Sequence, residues 1–72
     1  MNEILKSKGW TEYLGEWKHP SHNNMWITFN ERTYVICLEV KHCEEFAYVD
    51  SACVDLDDMR HRMSCLLEYI GQ

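Results

Sequence analysis

The sequence predicts an α+β domain. A short N-terminal helix precedes an antiparallel β-meander of three to five strands, and a C-terminal amphipathic helix packs on one face. Three observations carry that expectation. β-Branched and aromatic residues crowd "MWITF" and "TYVICLEVK". From Asp55 onward apolar residues return at three- and four-residue steps. And 72 residues make one domain, 1–72, with no linker, repeat or low-complexity tract to divide it.

Each element has its own local cause. "NEILKSKG" reads as a short helix: Asn2 is a candidate cap, Ile4 and Leu5 form an apolar side, and Gly9 offers the left-handed stop. "WTEYLGEWKH" is extended, either as a hairpin turning at Gly15–Glu16 or as one strand with a bulge at Gly15. Pro20 forbids a central strand, and "PSHNN" is turn-rich. "NER" would then connect two strands. In the second, Tyr34, Ile36, Leu38 and Val40 share one face, while Thr33, Val35, Cys37, Glu39 and Lys41 share the other. "TFNE" also fits a helix-capping box, but the β-branched density around it favours strand. "EFAYVD" reads as a further strand after a loop at His42–Glu44. In the last helix Leu56, Met59, Met63, Leu66, Leu67 and Ile70 make one stripe. Asp55 caps it, Asp57 and Asp58 suit the positive end of its dipole, and Gly71 ends it.

Composition narrows the function classes. A chain this short buries only about 60% of its unfolded surface. Its 46% hydrophobic content, with three Trp, four Tyr and two Phe, is nevertheless enough for a core and argues against disorder. "MNEILKSKGW" lacks the apolar run of an export signal, and no stretch is long enough to span a bilayer, so a cytoplasmic protein with no membrane partner is expected. Thiols stay reduced in that compartment, and Cys37, Cys43, Cys53 and Cys65 read as buried small hydrophobes.

Candidate sites for chemistry are weak. "EWKHPSH" brings Trp17, His19, Pro20 and His22 together, but the His spacing and Pro20 do not suit a zinc site, and no Cys-x-x-Cys completes one. The expected reading is a loop with solvent-facing imidazoles, with no metal and no cofactor, although a small zinc-stabilised module stays as an alternative. No cysteine has the local signature of a nucleophile, so no catalytic residue is assigned. Three glycines leave no room for a phosphate-cradling loop. "DLDD" lacks the glycine and distal Glu of a calcium loop. Trp10, Tyr13, Trp17, Trp26, Phe29 and Tyr34 suggest a base-stacking platform, but such platforms sit in positive grooves and no half of this chain is positive. Core packing is the expected role for most of them. Trp10 and Trp17 are kept as candidates for an aromatic part of a partner surface.

The segment "ILKSKGW…EWKHP" is similar to the start of HicA-type toxins, small mRNA interferases of toxin–antitoxin pairs. That resemblance covers about the first twenty residues. It implies a helix–three-strand–helix fold and, as an alternative function, a degenerate RNA-binding or RNA-cleaving domain. The family's Gly-Ser-His segment, which carries its catalytic histidine, has "LGEW" in its place. The likeness therefore supports the fold and speaks against the activity.

Charge is the most informative global feature. In residues 1–36, four acids and four bases cancel, so the whole net charge of −5 falls in residues 37–72. Glu39, Glu44, Glu45, Asp50, Asp55, Asp57 and Asp58 lie within twenty residues, opposed there by Lys41 alone. Complementary potentials steer encounter and fix register between proteins. The expectation is a small, acidic, non-enzymatic interaction protein that docks on a basic surface of a partner, with no direct nucleic-acid contact and homodimerisation left open. Inhibitors from phages and mobile elements that occupy nucleic-acid-binding grooves offer an analogy of size and charge.

Overall fold

The computed structural model describes residues 1–71. Helix α1 spans Asn2–Ser7. The Met1 carbonyl already accepts the N–H groups of Ile4 and Leu5, so Met1 rather than Asn2 is the capping position, and no side chain caps it. Gly9 stops the helix at φ +87°. There the Gly9 and Trp10 amides donate back to the Lys6 and Leu5 carbonyls, at 3.0 and 3.1 Å, the nested pair of a Schellman ending.

Strands β1, Thr11–Tyr13, and β2, Glu16–Lys18, form a hairpin with Tyr13 opposite Glu16. Its two-residue turn is Leu14–Gly15, one position earlier than Gly15–Glu16. Both residues have positive φ, 52° and 84°, the primed turn whose twist matches the strands. The shift decides which side chains go inside, because a one-residue slip reverses every face. It sets Trp17 opposite Ile27, and both are buried.

Strand β3, Met25–Asn30, and strand β4, Val35–His42, follow. Their connection is Glu31–Tyr34, a residue longer than "NER". Asn30 Oδ1 accepts the Arg32 N–H at 2.9 Å and Tyr34 takes φ +57°, which ends the β geometry before Val35. A Cys43–Glu44 turn leads into β5, Glu45–Ala52, which runs two residues beyond "EFAYVD". The sheet order is β1-β2-β3-β4-β5, all antiparallel, so the chain is a five-stranded meander.

Helix α2, Leu56–Ile70, begins where Asp55 Oδ1 accepts the Asp58 N–H at 2.8 Å. Met59, Met63 and Leu67 point into the core. Leu66 and Ile70 pack at its margin, and Leu56, in the first turn, stays exposed. Gly71 closes the last turn in a right-handed conformation. Both helices lie on one side of the sheet. There Met1, Leu5, Trp10, Trp17, Ile27, Ile36, Met59, Met63 and Leu67 form a single core. Glu3 ties the helices together across 2.8 Å to Arg60. Its own backbone N–H, that guanidinium and the terminal amine hold its carboxyl down at about 2. Among the described residues no helix is long and apolar enough to cross a membrane.

Candidate functional site

With both helices on one face, the other face of the sheet is uncovered, and alternation along the strands dictates what it carries. Three of its cross-strand rows surround the exposed rings of β5. Lys18, Trp26, Glu39 and Tyr48 form one. Thr28, Cys37 and Asp50 form the next. Lys41 and Phe46 form a third, with the Lys41 ammonium 5.5 Å from the Phe46 ring centre. Phe46 and Tyr48, two residues apart on the same side of β5, stack at 6.2 Å between centroids. They are 48% and 60% exposed, high values for side chains of that size in a folded domain. Glu16, Trp26, Glu39, Lys41 and Phe46 line a shallow depression of about 370 Å³ on this face.

Two carboxylates of the face, Glu39 and Asp50, perturb the groups beside them. Partial burial, and then the neighbouring Asp50, push the Cys37 thiol up. Desolvation, and then Glu39 across the ladder, push the Tyr48 phenol up. A thiol shifted in that direction is protonated at neutral pH and is a poor nucleophile. Cys43 and Cys65 are exposed, and Cys37 and Cys53 are half-buried. The expectation of four buried thiols is therefore corrected. Cys43 occupies a turn at φ +58°, and Cys65 rides the outer side of α2, 3.7 Å from His61.

The seven predicted acidic residues do not gather at one spot. Glu39 and Asp50 lie on the open face. Glu44 and Glu45 stand at the β4–β5 turn, and Asp55, Asp57 and Asp58 at the start of α2. At about 3.3 Å per residue, β5 separates those two ends by roughly 23 Å. The carboxylates thus form a border along β5 rather than a cluster. Two of them have structural work: Asp55 caps α2, and Asp58 accepts the Val54 N–H at 2.9 Å while pairing with Arg62 at 3.0 Å. The Val54 hydrogen bond and, after it, Arg62 lower the Asp58 carboxyl.

Trp10 and Trp17 are 5% and 4% exposed and belong to the core, so neither offers a ring to a partner. Primed-turn register takes Trp17 inside, and Trp10 follows from the Schellman stop that folds the chain back over Leu5. The exposed aromatic pair is Phe46 and Tyr48, which the sequence reading passed over. Its signal was present in "EFAYVD", where the two rings alternate with small Ala47 and branched Val49.

His19 also differs from expectation. Its ring is buried against Trp10 at 4.9 Å, and its Nδ1 accepts the backbone N–H groups of Ser21 and His22 at 3.0 and 3.1 Å. The imidazole therefore organises the 19–22 turn. Among the described residues no three His, Cys, Asp or Glu side chains come together in a way that would hold a metal ion. On the helix side a second hollow of about 320 Å³ is lined by Asn2, Glu12, Gly15, Trp17 and Phe29. It presents one carboxylate and no nucleophile.

Comparison with protein-family models, with curated proteins and with solved structures returns no match for this chain.

Proposed function

We propose that the protein is a non-enzymatic interaction protein, which uses the β5 side of its open sheet face to engage a basic surface of another protein. One observation supports this above the rest. The helix-free face carries an exposed Phe46–Tyr48 stack beside Glu39 and Asp50, and Glu44 and Glu45 extend the same sign along the strand. Large rings supply contact area at little conformational cost, while carboxylates around them steer a cationic partner and reject an anionic one. Nucleic-acid-binding proteins present the kind of positive surface this face would suit.

The test compares two double variants with the same change in net charge. Glu44→Lys/Glu45→Lys alters the β5 border, and Glu31→Lys/Glu68→Lys alters exposed positions away from it. Retention of each on an immobilised poly-L-lysine surface is measured against rising salt. The first variant should release at markedly lower salt than the second. Equal release of the two would overturn the proposal, and tight binding of the parent protein to a single-stranded RNA would favour an RNA-binding domain instead.

A further inference from the structure

Strand β5 is the last strand of the sheet, and its backbone shows which groups are left over. Lys41 donates its N–H to Asn24 at 2.8 Å, so odd-numbered residues of β4 direct their amides toward β3. Cys53 donates to Tyr34 at 2.7 Å, so odd-numbered residues of β5 direct theirs toward β4. Alternation then leaves the N–H and C=O groups of Phe46, Tyr48, Asp50 and Ala52 along the free edge.

Natural edge strands are usually blunted by brevity, proline, a bulge, lysine or other charged side chains. Of these β5 has only the carboxylates Glu45 and Asp50, which repel an acidic strand and admit a basic one. It pairs with β4 in unbroken register from Val35–Ala52 to His42–Glu45, over eight residues that include no proline and no lysine. All but one of its side chains are exposed.

We infer that this edge accepts an extended, basic segment of a partner protein as a sixth strand. The inference rests on the proposed acidic docking surface and names what docks there. Both faces of β5 dictate the pattern of the incoming strand. On the open face it would meet Phe46, Tyr48 and Asp50, which suit lysine or arginine: a carboxylate to pair with and rings that accept a cation, as Phe46 already does with Lys41. On the helix side it would meet Ala47 and Val49, which is 57% exposed, and these suit a branched apolar side chain. The recognised segment alternates basic with apolar residues. Main-chain hydrogen bonds supply affinity and the alternating side chains supply selectivity. A second copy of this chain fits less well, because β5 contains Glu45 and Asp50 and no cation to offer their counterparts. A two-fold pairing centred on Asp50 would even set like charges opposite each other.

The probe is a capped eight-residue peptide alternating lysine with valine. Its controls replace lysine by glutamate, or methylate the backbone nitrogens that would face β5. Amide exchange of the protein is followed residue by residue. At saturation the lysine–valine peptide should slow exchange of the Tyr48 and Asp50 amides at least tenfold, and neither control should do so. Tyr48→Pro should abolish binding, because it removes an edge N–H without breaking the ladder to β4, whereas Tyr48→Ala should only weaken it. A peptide that binds in a salt-sensitive way with these amides unprotected would overturn strand addition while leaving the acidic-surface reading intact. Equal binding of the N-methylated peptide would do the same. If the peptide fails to bind and the Glu44→Lys/Glu45→Lys variant is retained like its control, both fail together. Protection already present without peptide, growing with protein concentration alongside a sedimenting dimer, would assign the edge to a second copy and overturn the inference.

Discussion

The ring of His19 is fixed on one edge by two backbone donors and by a T-shaped contact with Trp10, with the His22 ring 4.4 Å away. An acceptor Nδ1 requires the neutral imidazole with its proton on Nε2. Burial, and then His22, lower its proton affinity below the ordinary 6.5. The sign of the consequence follows from linkage. Below pH 6.5 the unfolded chain takes up a proton that the folded chain refuses, so stability is full above that pH and is lost as pH falls toward the depressed folded value. His19→Asn keeps an acceptor near the two N–H groups and cannot titrate. Thermal melts between pH 7.5 and 5 should therefore show a smaller loss for His19→Asn than for the parent, at a cost near neutrality of roughly 1 kcal/mol for the lost ring packing. Parallel curves would mean that His19 takes no part. "HPSH" in the sequence identified a turn correctly. It could not reveal that Trp10, nine residues earlier, would close over the first imidazole, because that packing depends on how α1 ends.

Elements with a strong period were legible in advance, and those decided by turn chemistry were less so. The stripe of α2 recurs over four turns, and Asp55 caps it as expected. β3 and β4 were marked by their β-branched content. The β1–β2 hairpin was one of two expected forms, beside a single strand bulged at Gly15, and its expected register was off by one because a leucine, Leu14, takes the left-handed position that asparagine or glycine normally fills. Nothing in local preference announces that choice. It is imposed by Trp17, which must face Ile27 for the core to close. The phase of α2 gives the element-scale prediction. Met63 has no exposed surface, whereas Arg62 points to solvent and pairs with Asp58 one turn back. Met63→Asp buries an unpaired carboxylate and should cost roughly 3 kcal/mol or more, most of what a small domain holding about 5 kcal/mol has in hand. Arg62→Asp loses an exposed ion pair and should cost no more than about 1 kcal/mol. Chemical denaturation of both variants checks this, and equal costs would mean that the helix is rotated about its axis.

At the scale of the whole molecule, topology turns a linear charge bias into a spatial one. The neutral first half supplies α1, the β1–β2 hairpin and β3, while the acidic second half supplies β4, β5 and α2. A meander keeps sequence neighbours adjacent, so the part of that excess carried by β4, β5 and the turn between them stays at one end of the sheet. That much of the candidate site was readable from composition. The free edge and the Phe46–Tyr48 stack were not, because they depend on β5 being last in the sheet and on which face the helices cover. Concentrating like charges this way has a measurable cost in the isolated protein. Carboxylates along β5 repel one another over distances comparable to the Debye length, about 30 Å at 0.01 M salt and about 8 Å at 0.15 M. Raising salt across that range should therefore raise the melting temperature of the parent by a few degrees, the shift expected for a gain of about 0.5 kcal/mol in a domain of this size. The Glu44→Lys/Glu45→Lys variant, with its border partly neutralised, should gain less. Glu31→Lys/Glu68→Lys, with the same net charge, should gain nearly as much as the parent. If the two variants responded alike and less than the parent, net charge alone would govern the effect, and if all three responded alike, neither the net charge nor its concentration along β5 would have an energetic consequence.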